Sequence, residues 1–158
     1  MSLTFGMKLS FGMACLSLAL VATPAAADPP SAAGSQAIAR AIGNCGDPCV
    51  ISGSNGGRIV DFRAAAAAIQ NGARKSVVID GYCASACMTL ASMVRSKVCI
   101  TSRAVFAYHK TNFNRPIPLS ADMNRWISRN GGFPEFGATP GVLPTQVAQS
   151  FWRQCKSA

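Results

Sequence analysis

The sequence is poor in charged side chains, and poorest in acidic ones. Only 13% of its 158 residues are charged, with 6 acidic against 15 basic side chains and a single histidine. So little charge beside 49% apolar residues excludes an intrinsically disordered chain and predicts a folded core. The net charge of +9 favours anionic partners in general, and it also keeps a small protein soluble.

Two further absences narrow the function. Basic residues occur in no run longer than two and are not interleaved with a cluster of aromatic side chains, so we expect no nucleic-acid partner. The sequence has neither a P-loop that would cradle phosphates nor a GxGxxG segment after a predicted strand. It therefore implies no organic cofactor, and it contains no internal repeat.

The N-terminus is typical of a cleavable secretory signal over residues 1–27. Lys8 supplies the positive charge, residues 11–22 form the apolar region, and Ala25, Ala26 and Ala27 form a small-residue cleavage site. The alternative is an uncleaved N-terminal anchor, but the apolar region is shorter than the roughly 20 residues that a bilayer span takes. We predict a periplasmic or secreted protein with no stable membrane anchor after cleavage.

The rest of the chain is long enough for one domain with one core. Residues 28–34, rich in Pro, Ala and Ser, are interpreted as a flexible lead-in. A single domain is predicted over residues 35–158.

Six of the seven cysteines lie beyond the predicted signal. An even number of cysteines in an oxidising compartment predicts up to three disulfides, and their pairing stays open. Two Cys-x3-Cys pairs also offer four thiolates to zinc, which is the alternative. Export favours disulfides, so we expect no metal. The six candidates are Cys45, Cys49, Cys83, Cys87, Cys99 and Cys155.

Hydrophobic patterns predict alternating strands and helices along the predicted domain. This order favours an α/β sheet with largely parallel pairing. A turn is expected at Gly81-Tyr82. Strands are predicted at 49–52, 76–80, 98–101 and 104–109, and helices at 35–43, 58–70, 84–94, about 120–130 and about 145–155.

Three features of this arrangement suggest catalysis. Gly56-Gly57 precedes a helix, where backbone N–H groups form an anion site. Ser85 begins a buried helix, and His109 ends a strand. A serine nucleophile needs a neutral imidazole to take its proton and fixed donors for the oxyanion. Here these donors would be the amide of Gly57, or of its neighbour Gly56, and the amide of Ala86.

Each feature also has an ordinary structural explanation. Serine at a helix start is commonly an N-cap, which would account for Ser85 without any chemistry. A Gly-Gly pair before a helix is a common turn, and the single His109 is explained equally well as a surface or core residue.

The three segments together resemble a known family. Their order is Ser-Asn-Gly-Gly at 54–57, Cys-Ala-Ser-Ala at 83–86 and Val-Phe-Ala-Tyr-His at 105–109. This order and spacing resemble the proteolytic subunit of the Clp protease and, more closely, the small secreted cysteine-bearing members of the Clp/crotonase-like superfamily. The resemblance covers residues 50–110. It implies a spiral of strand-and-helix units, with Ser85 as nucleophile, His109 as base and a Gly-Gly oxyanion turn.

The chain departs from the family in two respects. The family's acid, which orients the histidine, lies farther along the chain, and no Asp or Glu follows Glu135 here. Asp122 or Glu135 could supply the third member, although a carboxylate at Asp122, two residues after the Ser120 cap, is also explained by the helix dipole. The predicted domain is also short for the complete spiral, so we expect a reduced form of it, and the oligomeric state stays open.

Cys83 and Cys87 flank Ser85 at two residues on either side. If each is oxidised to a different partner, the two disulfides would pin the serine turn. Such pinning is explained either as preorganisation of a site or as stapling of a small core. The sequence leaves both explanations open.

The leading hypothesis is an exported serine hydrolase that acts on a peptide or an ester, with a peptide or acyl compound as its substrate. The alternative is a non-catalytic periplasmic binding module that keeps the fold and has lost the chemistry. A zinc-stabilised interaction domain is the third hypothesis. In all three, the segment at 111–118, just after His109, is expected to cover the cleft.

Overall fold

The structure is a computed structural model that describes residues 32–72 and 75–156. The predicted signal at 1–27 lies outside the described residues. The first helix begins at Ala32, so the end of the predicted lead-in is helical. Among the described residues no helix has the length and apolarity needed to cross a membrane.

The described residues form five helices and six strands, and a short 3-10 turn at Arg95–Lys97 follows the third helix. The helices are α1 (Ala32–Gly43), α2 (Ile59–Asn71), α3 (Ala86–Met93), α4 (Ala121–Arg129) and α5 (Thr145–Phe151). The strands are β1 (Cys49–Ser54), β2 (Val77–Ala84), β3 (Val98–Ile100), β4 (Val105–Tyr108), β5 (Gly141–Val142) and β6 (Arg153–Gln154).

All six strands join one sheet, with β2 at its centre. β1 pairs in parallel with β2 over most of its length, so it occupies one edge of that strand. β3 and β4 therefore share the other edge, with β3 on the first half of β2 and β4 on the second. β6 extends the sheet in parallel beyond β3, and β5 pairs antiparallel with β4. The predicted single α/β domain with largely parallel pairing is confirmed.

The largest differences from the predicted element boundaries are at the ends of β2 and α5. No turn interrupts the chain at Gly81-Tyr82; β2 continues through a bulge opposite Ser52 and ends at Ala84. The last helix stops at Phe151 and not near 155, because the following residues pair with β3 as β6. The Cys155 amide then donates to the Ile100 carbonyl, so sheet pairing replaces the last helical turn.

The buried core combines residues of the sheet with residues of all five helices. Residues 86–91 of α3 are all buried, as its uniformly apolar sequence predicts. Trp152 stacks on Phe106 with ring centroids 4.0 Å apart and donates its indole N–H to the Ala91 carbonyl. An aromatic pair of this kind contributes about 1 kcal/mol beyond the area it buries. The pair fixes the C-terminal segment against β4.

The six cysteines form three disulfides, as predicted. The pairs are Cys45–Cys49, Cys83–Cys87 and Cys99–Cys155. Both Cys-x3-Cys segments therefore close on themselves, and the sulfurs that the zinc hypothesis requires are bonded to each other. Within the described part of the chain, no group of three or more His, Cys, Asp and Glu side chains comes together as a metal site.

Candidate active site

Ser85 stands alone between the end of β2 and the start of α3, in an unusual backbone conformation. Its φ is 53° and its ψ is −118°, which costs a non-glycine residue about 1–3 kcal/mol. Two hydrogen bonds hold the turn: the Ser85 amide donates to the Ala107 carbonyl of β4, and the Thr89 amide donates to the Ser85 carbonyl. The turn is therefore fixed by both the sheet and the helix.

The side chain of Ser85 is not an N-cap. Its hydroxyl makes no capping hydrogen bond to any amide of α3 among the described residues, and its φ differs from that of an N-cap residue. A sharp strand-to-helix turn of this kind presents a serine oxygen to the adjoining cleft in hydrolases. The structure thus removes the ordinary explanation for a serine at this position.

The disulfide Cys83–Cys87 encloses this turn. Cys83 lies near the end of β2, Cys87 lies in the first turn of α3, and both are buried. The sequence left the pairing of these two cysteines open, and the structure bonds them to each other and not to different partners. A single disulfide instead spans the turn from one side of Ser85 to the other.

The Gly56-Gly57 turn lies directly against the Ser85 turn. Gly56 has a φ of +83°, and a Cβ there would meet the Ala84 carbonyl oxygen at 2.6 Å and the Ala86 nitrogen at 2.9 Å. Only glycine allows both this conformation and this approach. The Gly56 amide donates to the Ser54 hydroxyl at 3.2 Å, whereas Gly57 lines the cleft beside Ser85.

Of the three predicted oxyanion donors, Gly57 lines the cleft, whereas the Gly56 amide has its acceptor in Ser54. Ala86 is the first residue of α3, where helix amides have no intrahelical acceptor, and it is buried next to the lining residue Ser85. The roles of the Gly57 and Ala86 amides as oxyanion donors stay predictions.

His109 follows the end of β4 and lines the same cleft as Ser85. Its Nδ1 lies 2.5 Å from the backbone oxygen of Lys110. Because a carbonyl oxygen only accepts, Nδ1 carries a proton, and in the neutral ring Nε2 then holds the lone pair. That tautomer is the one a general base needs. The ring also packs against Phe136, with centroids 5.6 Å apart.

The cleft that joins these residues has a volume of about 880 Å³. Its walls come from the Gly-Gly turn and the start of α2, from the end of β2, and from the segments after His109 and Phe133. Thr111, Asn112 and Phe113 lie in the lining, at the start of the segment predicted to cover the cleft. Phe113 is 79% exposed and Phe136 is 50% exposed, so two aromatic rings stand open beside the cleft.

The structure does not bring Asp122 to this cleft. Its carboxylate lies in the first turn of α4, 2.7 Å from the Arg95 guanidinium. The neighbouring Ser120 side chain, followed by the hydrogen-bonded Arg95 guanidinium, lowers the pKa of Asp122 from 3.8 to about 2. The contacts of Asp122 are those of a helix-start carboxylate in an ion pair.

None of the acidic side chains among the described residues lines the cleft, and each contacts a different group. Asp61 contacts Ser35 and Asp80 contacts Arg103, while Glu135 pairs with Lys110. Asp47 accepts hydrogen bonds from Ser76 and Asp122 pairs with Arg95, as above. Among the described residues the His109 ring is thus held by a backbone carbonyl, and it shares the cleft with Ser85 without an acidic third member.

Sequence reasoning missed part of the cleft. Tyr82, Phe136, Ala138 and Pro140 all belong to the lining. The last three lie in a segment of turns that carries no hydrophobic periodicity, so no local pattern indicated it.

A scan against protein-family models finds no match, and no curated protein matches the sequence. Among solved structures the chain is similar to ClpP1 from Listeria monocytogenes, with 15% identity and a TM-score of 0.47 over 78% of this chain and 82% of that one. It is also similar to a mutant of that ClpP1, with 16% identity and a TM-score of 0.46 over 73% and 81%. These are likenesses of fold, and at such identities and TM-scores they assign neither a family nor an activity.

Proposed function

We propose that this chain is an exported serine hydrolase that cleaves a peptide or an ester through Ser85, on a reduced Clp/crotonase-like fold. One observation carries the proposal. Ser85 is held at a positive φ on a strand-to-helix turn and lines the same cleft as the imidazole of His109 and the Gly57 amide. Strain of this kind persists where the surrounding structure enforces it, and it is concentrated at functional sites.

The reaction follows from the roles that the geometry offers. His109 Nε2 takes the proton of the Ser85 hydroxyl while Oγ attacks the substrate carbonyl carbon. The oxyanion is held by the amides of Gly57 and Ala86. The carbon–nitrogen or carbon–oxygen bond then breaks, His109 returns the proton to the leaving group, and water releases the acyl group from Ser85 by the same route.

The surroundings of the cleft fit such a substrate. Tyr82, Phe113 and Phe136 give it apolar walls for the apolar part of a peptide or acyl chain. Three disulfides are typical of proteins in oxidising compartments, which supports a periplasmic or secreted location.

Fluorophosphonate labelling of the oxidised protein tests the proposal. We expect one stoichiometric adduct, located on Ser85 by mass spectrometry and absent from Ser85→Ala and His109→Ala. Ser128→Ala is the matched control, since Ser128 lies exposed on α4 away from the cleft, and it should label as the wild type does. An adduct that persists in Ser85→Ala would contradict the assignment of the nucleophile.

The second candidate function is a binding module without turnover. It is favoured by the contacts of the acidic side chains, since none of those described reaches His109 and a complete triad is not formed. In this case the Gly57 turn would hold a carboxylate or acyl group without cleaving it. Absence of any adduct from protein shown to be folded and oxidised would favour this function over hydrolysis.

A further inference from the structure

Ser35 is a buried polar residue of α1 that the sequence analysis assigned no role. Its side chain is fully buried, at 0% exposure. Its hydroxyl donates to Asp61 Oδ2 at 2.9 Å and accepts from the Arg58 amide at 2.7 Å. A hydroxyl has one proton, and here that proton goes to Asp61, so the Ser35 oxygen can only accept from the Arg58 amide.

The two hydrogen-bond partners of Ser35 occupy the N-cap and third positions of α2, which bond to each other in an ordinary capping box. Arg58 is the N-cap of α2, and Asp61 is the third residue of that helix. In a capping box, the third residue accepts directly from the N-cap amide. Here the Ser35 hydroxyl bridges the Arg58 amide and the Asp61 carboxylate, so a side chain of α1 takes part in capping the N-terminus of α2.

The same oxygen also lies against the Gly57 turn. A Cβ on Gly57 would come within 2.4 Å of Ser35 Oγ and 2.9 Å of Ser35 Cβ. The turn therefore rests directly on Ser35, and the Arg58 amide one peptide later is bonded to it. Ser35 therefore holds the Gly57–Arg58 peptide at two points, by contact at the Gly57 Cα and by the hydrogen bond from the Arg58 amide.

We propose that Ser35 is a positioning residue of the oxyanion site: by holding the Gly57 Cα and the Gly57–Arg58 peptide, it fixes Gly57 at the cleft and thereby positions the N–H of the preceding Gly56–Gly57 peptide. This inference rests on the proposed function of Ser85. Donors that are fixed in advance stabilise a developing oxyanion without reorganisation. Asp61 contributes through Ser35 by holding the hydroxyl proton away from Arg58.

Labelling kinetics of Ser35→Ala test the role. Rates measured over a series of fluorophosphonate concentrations separate the maximal rate of inactivation from the apparent affinity for the probe. We expect the maximal rate to fall by on the order of tenfold, with the affinity unchanged, because the donor is misaligned and not removed. An unchanged maximal rate would overturn the proposal.

Lys75→Met is the matched control for a general weakening of α1. Lys75 donates to the Gly43 carbonyl at the opposite end of that helix, away from the cleft, so its loss loosens α1 without touching Ser35. The control should keep the wild-type maximal rate. An equal fall in both variants would show that Ser35 acts only through helix packing, and the proposal would be wrong.

Amide exchange in the wild-type protein gives a test that needs neither a variant nor activity. The Arg58 amide should exchange slowly in the native state, as a buried hydrogen-bonded amide does. Exchange as fast as in exposed loops would overturn the role of Ser35. If the wild type takes no label at all, the proposed hydrolase fails, and slow exchange at Arg58 then still supports Ser35 as the anchor of the turn.

Discussion

Two segments of the molecule share a Cys-x3-Cys spacing and differ in what their disulfides enclose. Cys45–Cys49 and Cys83–Cys87 have the same sequence separation and the same Cα–Cα distance of 5.3 Å. The first disulfide closes an exposed link between α1 and β1, with residues 46–48 all open to solvent. The second closes the buried turn between β2 and α3, with Ser85 at its centre.

Loop length gives the two disulfides the same effect on the unfolded chain, because equal loops lose equal conformational entropy. Each is expected to stabilise the fold by about 2 kcal/mol through that entropy. Any further difference must come from the residues inside the loop. Equal cysteine spacing therefore does not imply an equal role, and matched variants in the two loops can distinguish the two roles.

The largest difference in unfolding free energy and in Ser85 labelling is expected between Gly56→Ala and Gly46→Ala. A Cβ on Gly56 would overlap the backbone of the Ser85 turn, whereas a Cβ on Gly46, inside the other loop, meets nothing within 4 Å. We expect Gly56→Ala to lower the free energy of unfolding by about 3 kcal/mol and to abolish Ser85 labelling. Gly46→Ala should change the free energy by less than about 0.5 kcal/mol. Urea unfolding measures both, and similar losses in the two variants would contradict the packing described here.

The second-largest difference is expected when each of the two disulfides is removed. The double variants Cys83→Ala/Cys87→Ala and Cys45→Ala/Cys49→Ala should each lose about 2 kcal/mol of unfolding free energy, since the loops are equal. Only the first pair of substitutions should slow fluorophosphonate labelling, because only that loop holds Ser85. Equal labelling rates in the two double variants would assign Cys83–Cys87 to stapling alone.

A smaller effect distinguishes two substitutions at Ser85 itself. Both Ser85→Gly and Ser85→Ala remove the hydroxyl, but glycine accepts the φ of 53° without steric cost. Ser85→Gly should therefore be more stable than Ser85→Ala by about 1 kcal/mol in urea unfolding. A more stable alanine variant would show that the turn is not strained.

The smallest effect is expected outside both loops, at Asp122→Asn. The lowered pKa of Asp122 means that its stabilisation is complete above the unfolded value of 3.8 and is lost as pH falls through the folded value of about 2. The side chain is 40% exposed, so solvent screening limits the contribution to about 0.5–1 kcal/mol. The stability curves of variant and wild type should converge below that range, and labelling at neutral pH should be unchanged. Slower labelling would mean that Asp122 acts on His109.

Much of the fold followed from local patterns in the sequence. The β-branched runs indicated β1 to β4, and the glycines at 131 and 132 together with Ser120 indicated the limits of α4. β5 and β6 were missed because each has two residues and exists only through pairing with a distant strand. Local periodicity carries no information on such contacts.

The residues of the candidate site were likewise predicted only in part. The order of Gly57, Ser85 and His109 along the chain led to three residues that line one cleft. Asp122 was a weak candidate from the start, because the helix dipole already explained it, and its partner Arg95 lies 27 residues away in sequence. Ser35 gave no signal, since its role depends on how α1 packs against the start of α2. The spacing of residues along the chain does not reveal which distant side chains and backbone groups contact each other in the fold.

The third disulfide has a consequence for the order in which the disulfides can form. Cys99 and Cys155 are 56 residues apart, and the segment between them contains His109, α4 and α5. In a chain that enters an oxidising compartment N-terminus first, the loop around Ser85 can close once residue 87 has entered, whereas the long loop can close only after residue 155. That last bond restricts the unfolded chain most, by about 4 kcal/mol. Until it forms, no disulfide holds the segment that carries the imidazole of His109, although the disulfide around Ser85 can already be closed.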